Sequence, residues 1–256
     1  MGDLGVRSVK SYLKDLIKKH QVDFVIAQAE NVDNGKGVSV LKYLELKNLG
    51  INFFTGGNWT LFNPEIYSYL NDPNEPIIRP ANYPSNYQGL EYKYLNTKFG
   101  QVLIISLLGK IVGRDLKIDF KNPLKTADDI LEKEKNTPKI ATIVNFHGDY
   151  SSEKVVIGHY LDGRVTAVIG DHWHVPSNDA RILFNKTAHI SDVGMNGSLN
   201  SSLGVKLDIA IDRWLNGSKL KNELIKEDDL QFNAVLIDFN IKTGLANSIK
   251  QIRLTS

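Results

Sequence analysis

The sequence predicts an α/β fold built on a parallel sheet. Short apolar runs of strand length alternate with amphipathic stretches of helix length, and polar clusters follow the runs instead of interrupting them. The runs are continuous, as expected of strands buried on both faces, and the intervening helices supply the crossover connections that parallel neighbours require. With 256 residues and 42% hydrophobic content the chain can bury one sizeable core, so a single domain over residues 1–256 is expected.

Val6, Val9, Leu13, Leu16 and Ile17 recur at three- and four-residue steps and predict a helix from Val6 to His20, which delivers the chain into a strand at Phe24–Ala27. Gln28-Ala29-Glu30-Asn31 ends that strand. A Gly35-Lys36-Gly37 loop follows, then a second helix through Leu41, Leu44 and Leu46. Ile51–Phe54 reads as a strand emptying into Thr55-Gly56-Gly57-Asn58, and Asp72–Asn86, rich in Pro and Asn, reads as a loop. Further apolar strands are expected at Val102–Leu108, Ile140–Val144, Arg164–Ile169 and Ala234–Phe239, with a short run near Ile252. Helices are expected around Thr126–Glu134, from Ser152, and over Gly204–Leu215, where Val205, Ile209 and Trp214 are apolar positions.

Composition removes several function classes. The net charge is +2 with the charges scattered, so no basic surface for nucleic acid is evident. The chain has no cysteine, which excludes disulfides and thiolate ligands. No apolar run approaches a membrane span, and the first twenty residues are lysine-rich and lack the apolar core of a secretory signal. A cytoplasmic location is the default expectation, and a homo-oligomer remains open. Asn185-Lys186-Thr187 then reads as a chance glycosylation match.

The chemistry concentrates at four strand ends: Glu30 with Asn31, then Asn58, then His147, then His172 with His174. Strand ends of an open α/β sheet are where ligands converge, and imidazoles beside carboxylate and amide oxygens suit Zn, Mn, Fe or Co. A His-X-His pair on an extended segment would present both rings to one face. His20, His159 and His189 stand outside these clusters and read as surface or satisfied core residues. Two ions roughly 3.5–4 Å apart need a bridging carboxylate, for which Glu30 is the natural choice, and together clamp an in-line displacement at phosphorus.

These segments resemble a family. Ala29-Glu30-Asn31 with Gly35-Lys36-Gly37, Gly57-Asn58, Asn145-Phe146-His147 with Ser151–Lys154, Gly170–Val175, Arg79–Asn82 and Ser191–Met195 are together similar to the motifs of the YmdB-like branch of the calcineurin-like metallophosphoesterases, bacterial phosphodiesterases acting on cyclic nucleotides. The resemblance implies an α/β/β/α sandwich, two mixed sheets with helices outside. It implies two divalent transition-metal ions, Fe or Mn: one held by Glu30, Asn31 and His174, the other by Glu30, Asn58, His147 and His172. A small phosphodiester is the implied substrate.

Two departures qualify that expectation. The family's Gly-Asn-His carries a general-acid His where this chain has Trp59, and an indole N–H does not release a proton near neutral pH. Losing such an acid typically costs 10²–10⁴-fold. The second departure is at the start, where Gly2-Asp3-Leu4-Gly5 and Arg7 match the family's second glycine turn without gaps up to Glu30, a register that leaves the family's first strand and its metal-binding Asp outside this chain and weakens the first metal site. The rival register makes Asp3 that ligand. Asp149 and Asp171 are alternative carboxylates, or solvated surface groups. The expected function is therefore a dinuclear-metal phosphodiesterase impaired at Trp59, with a non-catalytic metal- or nucleotide-binding regulatory relative as the alternative.

Overall fold

A computed structural model describes residues 1–112 and 118–256. The chain opens with helix α1 (Gly2–His20), then strand β1 (Ile26–Gln28), helix α2 (Val40–Asn48) and strand β2 (Phe53–Thr55). Ser39 caps α2 by accepting from the Lys42 N–H. A 3₁₀ turn at Pro64–Ile66 leads into α3 (Tyr67–Asn71), followed by β3 (Tyr92–Thr97), β4 (Gly100–Leu108), α4 (Pro123–Lys133), β5 (Ala141–His147), α5 (Ser151–Tyr160) and β6 (Ala167–Asp171). The remainder comprises β7 (Arg181–Ile182), β8 (Ala188–Ile190), β9 (Gly197–Ser198), α6 (Leu207–Asn216), β10 (Leu230–Phe239) and β11 (Ala246–Thr255).

The large sheet has the order β3-β4-β5-β6-β8-β7, parallel from β4 through β8 with an antiparallel strand at each edge. β9, β10 and β11 form an antiparallel sheet, and β1 pairs in parallel with β2. Strand parity sorts the core into layers. Leu103, Ile105, Leu107, Val144, Phe146 and Val168 pack against α4 and α5 through Ala127, Ile130 and Ile157. Val102, Ile104, Ala141, Ile143 and Ala167, of the opposite parity, meet Phe53 and Ala246 between the sheets. Val6, Val9 and Leu13 of α1, with Tyr43 and Leu46 of α2, cover Phe54 and Phe232 on the far side. The result is the expected α/β/β/α sandwich.

β3 and β8 are among the elements that escaped the periodicity. β3 carries no apolar run; Tyr92 and Tyr94 lie on its helix side, each hydroxyl donating to Glu134 at 2.6 Å. Between them Lys93 is buried, donating to the carbonyls of Asp72 and Glu75 and so fastening the Pro- and Asn-rich loop. Burial lowers the Lys93 ammonium to about 8, against the pull of Asp72 and Glu75. β8 is a three-residue buried run, too short to signal itself. α6 forms near the predicted helix but buries none of its residues, and Trp214 is 91% exposed.

Among the described residues, β1 is hydrogen-bonded within its sheet only to β2, and β10 is paired opposite β11 only where Leu230 and Gln231 meet β9. Between these two edges runs a mainly apolar cavity of about 620 Å³, lined by Ile26, Ala27, Ile143, Ile169, Val235 and Ile237. It opens at one end on His147, Asp171, His172 and His174.

Candidate metal centre

The sheet register builds the site. Ile143, Asn145 and His147 share one face of β5, and Ala167, Ile169 and Asp171 share the same face of β6; the parallel pairing sets His147 directly beside Asp171. Two residues past β1 lies Glu30, and three past β2 lies Asn58, so the ends of four strands bring their side chains to one point. Gln28 secures the Glu30 turn by accepting the Glu30 N–H at 2.9 Å.

Glu30 and His147 are both 1% exposed in their side chains, with Glu30 Oε1 3.0 Å from His147 Nε2. Asn58 Oδ1 lies 2.8 Å from the same nitrogen. The His172 ring packs edge-on against His147, centroids 4.5 Å apart. Glu30, His147 and His172 each offer a ligand atom within 4.8 Å of the others, the group among the described residues able to hold a metal ion. His172 Nδ1 and His174 Nδ1 are buried and have no hydrogen-bond partner, as nitrogens reserved for a cation would be. A Cβ on Gly57 would sit 2.6 Å from His147 Cδ2 and 2.7 Å from Glu30 Cδ, so only glycine leaves room for this arrangement. The donor set and its geometry fit a borderline transition metal.

The carboxylates around His147 make this a place where positive charge is held. Burial works against a charged His147, yet Glu30 and Asp171 on either side outweigh it and raise the ring to about 10. His174 is lowered to about 3 and His172 is lowered too, burial being the largest cause for each, so both are neutral imidazoles with a lone pair to give. Burial pushes Asp171 up, but His147 and Lys154 hold it below the usual carboxylate range.

Of the residues expected from sequence, Glu30, Asn58, His147 and His172 come together. His174 lies beside them in the cavity wall, while the Asn31 amide donates to the Gly35 carbonyl at 2.9 Å. The His172–His174 segment is not extended: His172 has φ 109° and His174 φ 64°, so the two rings are presented by a left-handed turn, not by strand alternation. The Trp59 indole lies edge-on to Phe62 with the Lys36 ammonium 4.7 Å above it, while its backbone N–H donates to Glu30 Oε2 at 2.7 Å. Asp3 sits in the first turn of α1, its side chain 82% exposed and paired with Lys42 at 3.1 Å. Of the two carboxylates that the sequence left between a replacement ligand and a solvated role, Asp171 contacts His147 Nδ1 and accepts from the Asn145 amide at 2.6 Å, and Asp149 lies 3.2 Å from His172 Nε2; the contacts with the two histidines were not foreseen.

The family described as YmdB-like protein matches residues 1–252. A 2′,3′-cyclic-nucleotide 2′-phosphodiesterase of Bacillus subtilis (strain 168) is 34% identical over 253 residues, spanning 98% of this chain and 93% of its own. Two crystal structures superpose over the whole fold. A hypothetical protein from Thermus thermophilus has a TM-score of 0.89 at 30% identity, with 100% of this chain and 96% of that one covered. A novel phosphatase from Mycoplasma pneumoniae has a TM-score of 0.90 at 31% identity, covering 99% and 90%. Among the described residues no helix is long and apolar enough to cross a membrane.

Proposed function

The chain belongs to the YmdB-like family, and from that membership we propose that it is a metal-dependent phosphodiesterase acting on cyclic nucleotides or related small phosphodiesters. The observation that carries this is the buried Glu30–His147–His172 cluster, with its unpartnered imidazole nitrogens and its glycine-made room. Glu30, Asn58, His147 and His172 would hold one ion, and Glu30, Asn31 and His174 a second, weaker one, with Fe or Mn best matched to the mixed oxygen and nitrogen donors. Such ions supply Lewis acidity at phosphoryl oxygens and a nucleophile at neutral pH.

The protein's own part is positioning. His147 presents Nε2 to Glu30 and Asn58 while Nδ1 is turned to Asp171, the carboxylate–histidine pairing that fixes ring orientation and raises ligand basicity. The Trp59 N–H fixes one Glu30 oxygen and leaves the other facing His147. Asp149 bears on His172 Nε2, so that Nδ1 is the nitrogen left to bind.

Trp59 favours a second reading, a non-catalytic metal- or nucleotide-binding relative, since an indole at that position cannot protonate a departing alkoxide. The two readings separate on substrates. An aryl phosphodiester, whose phenolate leaves unaided, should be cleaved far better than a 2′,3′-cyclic nucleotide, and Trp59→His should recover the nucleotide reaction selectively, by up to about 10²–10⁴-fold. A folded, metal-loaded protein inert on both substrates, before and after the change, would establish the binding role instead.

A further inference from the structure

Trp173 separates two histidines that both adopt positive-φ backbone conformations, uncommon for any residue but glycine and doubly so for two positions in three. They are held from beneath. Lys154 of α5 and Asp192 are both 0% exposed in their side chains and form an ion pair at 3.1 Å. The Lys154 ammonium also donates to the carbonyls of Asp171 and Ser191, and lies 4.5 Å over the Trp173 ring. Asp192 accepts the Trp173 N–H at 2.7 Å through Oδ2 and the Gly194 N–H at 2.9 Å through Oδ1. The Trp173 indole N–H donates to the Asp149 carbonyl at 2.8 Å. The peptide entering the turn, the residue at its centre and the strand beside it are therefore all tied to one buried charge pair.

We infer that Lys154 and Asp192 are positioning residues for metal binding: the pair clamps Trp173 downward, and the clamp holds His172 and His174 in the strained turn that turns their rings toward Glu30 and His147. The inference rests on the reading of His172 as a ligand. Lys154 stands outside the lining of the cavity that the histidines face; Asp192 borders it, but its side chain is 0% exposed and both its oxygens are taken by the Trp173 and Gly194 N–H groups. A buried ion pair is weak evidence for stability as such, since well-packed apolar replacements often serve equally well; here the remaining donors and acceptors of the pair are spent on the backbone around the histidines, which points to geometry as its use.

The test is cobalt(II) titration of the full chain, read as affinity and as the visible absorption of bound cobalt, whose position and intensity report the ligand set. Lys154→Met keeps the length of the stem and removes the charge. The double variant Lys154→Met with Asp192→Asn also removes the orphaned carboxylate that could unfold the single one, while keeping an oxygen for the Trp173 N–H. Loss of outer partners typically weakens metal binding 10–100-fold, and that weakening with an altered cobalt spectrum, measured well below the unfolding temperature of each variant, is expected. A lowered unfolding temperature with unchanged affinity and spectrum, in whichever variant folds, overturns the inference and leaves the pair merely structural. His172→Ala distinguishes the premise: if it binds cobalt as the parent does, the ligand reading fails and the inference with it; if it loses cobalt while the Lys154 variants do not, only the inference fails.

Discussion

Gly57→Ala adds one methyl group at the point where the candidate site is tightest. Gly57 does not adopt a left-handed backbone, so alanine is sterically acceptable to the chain and the whole effect is one of contact. The new Cβ would stand 2.6 Å from His147 Cδ2 and 2.7 Å from Glu30 Cδ, about 0.8 Å short of ordinary van der Waals contact. Neither neighbour can retreat easily: both side chains are 1% exposed, His147 is backed by Asp171, and Glu30 is held by the Trp59 N–H. Overpacking of this kind costs about 1–3 kcal/mol, which in a domain of this size lowers the melting temperature by roughly 2–12 °C. The displacement falls on two candidate ligands together, so manganese affinity should fall more than stability alone would suggest, by about 10–100-fold or 1.4–2.7 kcal/mol. Isothermal titration of dialysed protein, with circular dichroism melts run with and without manganese, measures both quantities. A variant that melts lower yet binds manganese as tightly as the parent would refute the placement of the ion between Glu30 and His147.

Dialysis against limiting Mn or Fe followed by elemental analysis should leave closer to one tight ion per chain than two, because the Glu30, Asn58, His147 and His172 set is the better supplied; two equally tight ions would show that another carboxylate completes the first set. The Lys93 ammonium, lowered by burial to about 8 against an ordinary 10.5, binds fewer protons in the folded state than in the unfolded one between those values. Stability should therefore gain a rising component from pH 8 to pH 10.5, and Lys93→Met should abolish it in urea melts; an unchanged slope would mean that the ammonium is better solvated than its burial indicates.

The layers and most of the site were legible because they rest on local rules. Continuous apolar runs marked β4 and β5, and polar residues just beyond each run marked Glu30, Asn58 and His147. What could not be read is what depends on two distant segments meeting. The role of Asp171 follows from the β5–β6 register, which pairs it with His147; no spacing within either strand announces it. Ser151–Lys154 reads as a family-like motif, but nothing in it gives Lys154 a task; that comes from α5 packing it over Trp173. The His172–His174 turn inverted the reading from strand alternation: β6 ends at Asp171, and both histidines then take positive φ, with the Trp173 N–H between them tied to Asp192, a residue far away in sequence. α6 shows the converse: its helical periodicity was read correctly, but Leu207, Ile211, Trp214 and Leu215 remain exposed, so the pattern did not mark a core-facing stripe.

The candidate ligands hang from two separate sheets. Glu30 and Asn58 follow β1 and β2, a pair of three-residue strands with a cavity along one flank, whereas His147 and His172 follow the central strands of the six-stranded sheet. An ion gripped by all four would act as a rivet through the sandwich, joining its lightest piece to its heaviest. Any ion bound by the folded form alone shifts the folding equilibrium by RT ln(1 + [M]/Kd), about 2.7 kcal/mol at a hundredfold excess over Kd, and here that gain would be felt first at β1 and β2. Amide hydrogens in Ile26–Gln28 and Phe53–Thr55 should accordingly exchange far more slowly in the loaded protein than in the chelated one, while those of β5 barely change. On this arrangement metal supply would set how long the protein survives proteolysis, whether or not it is a catalyst.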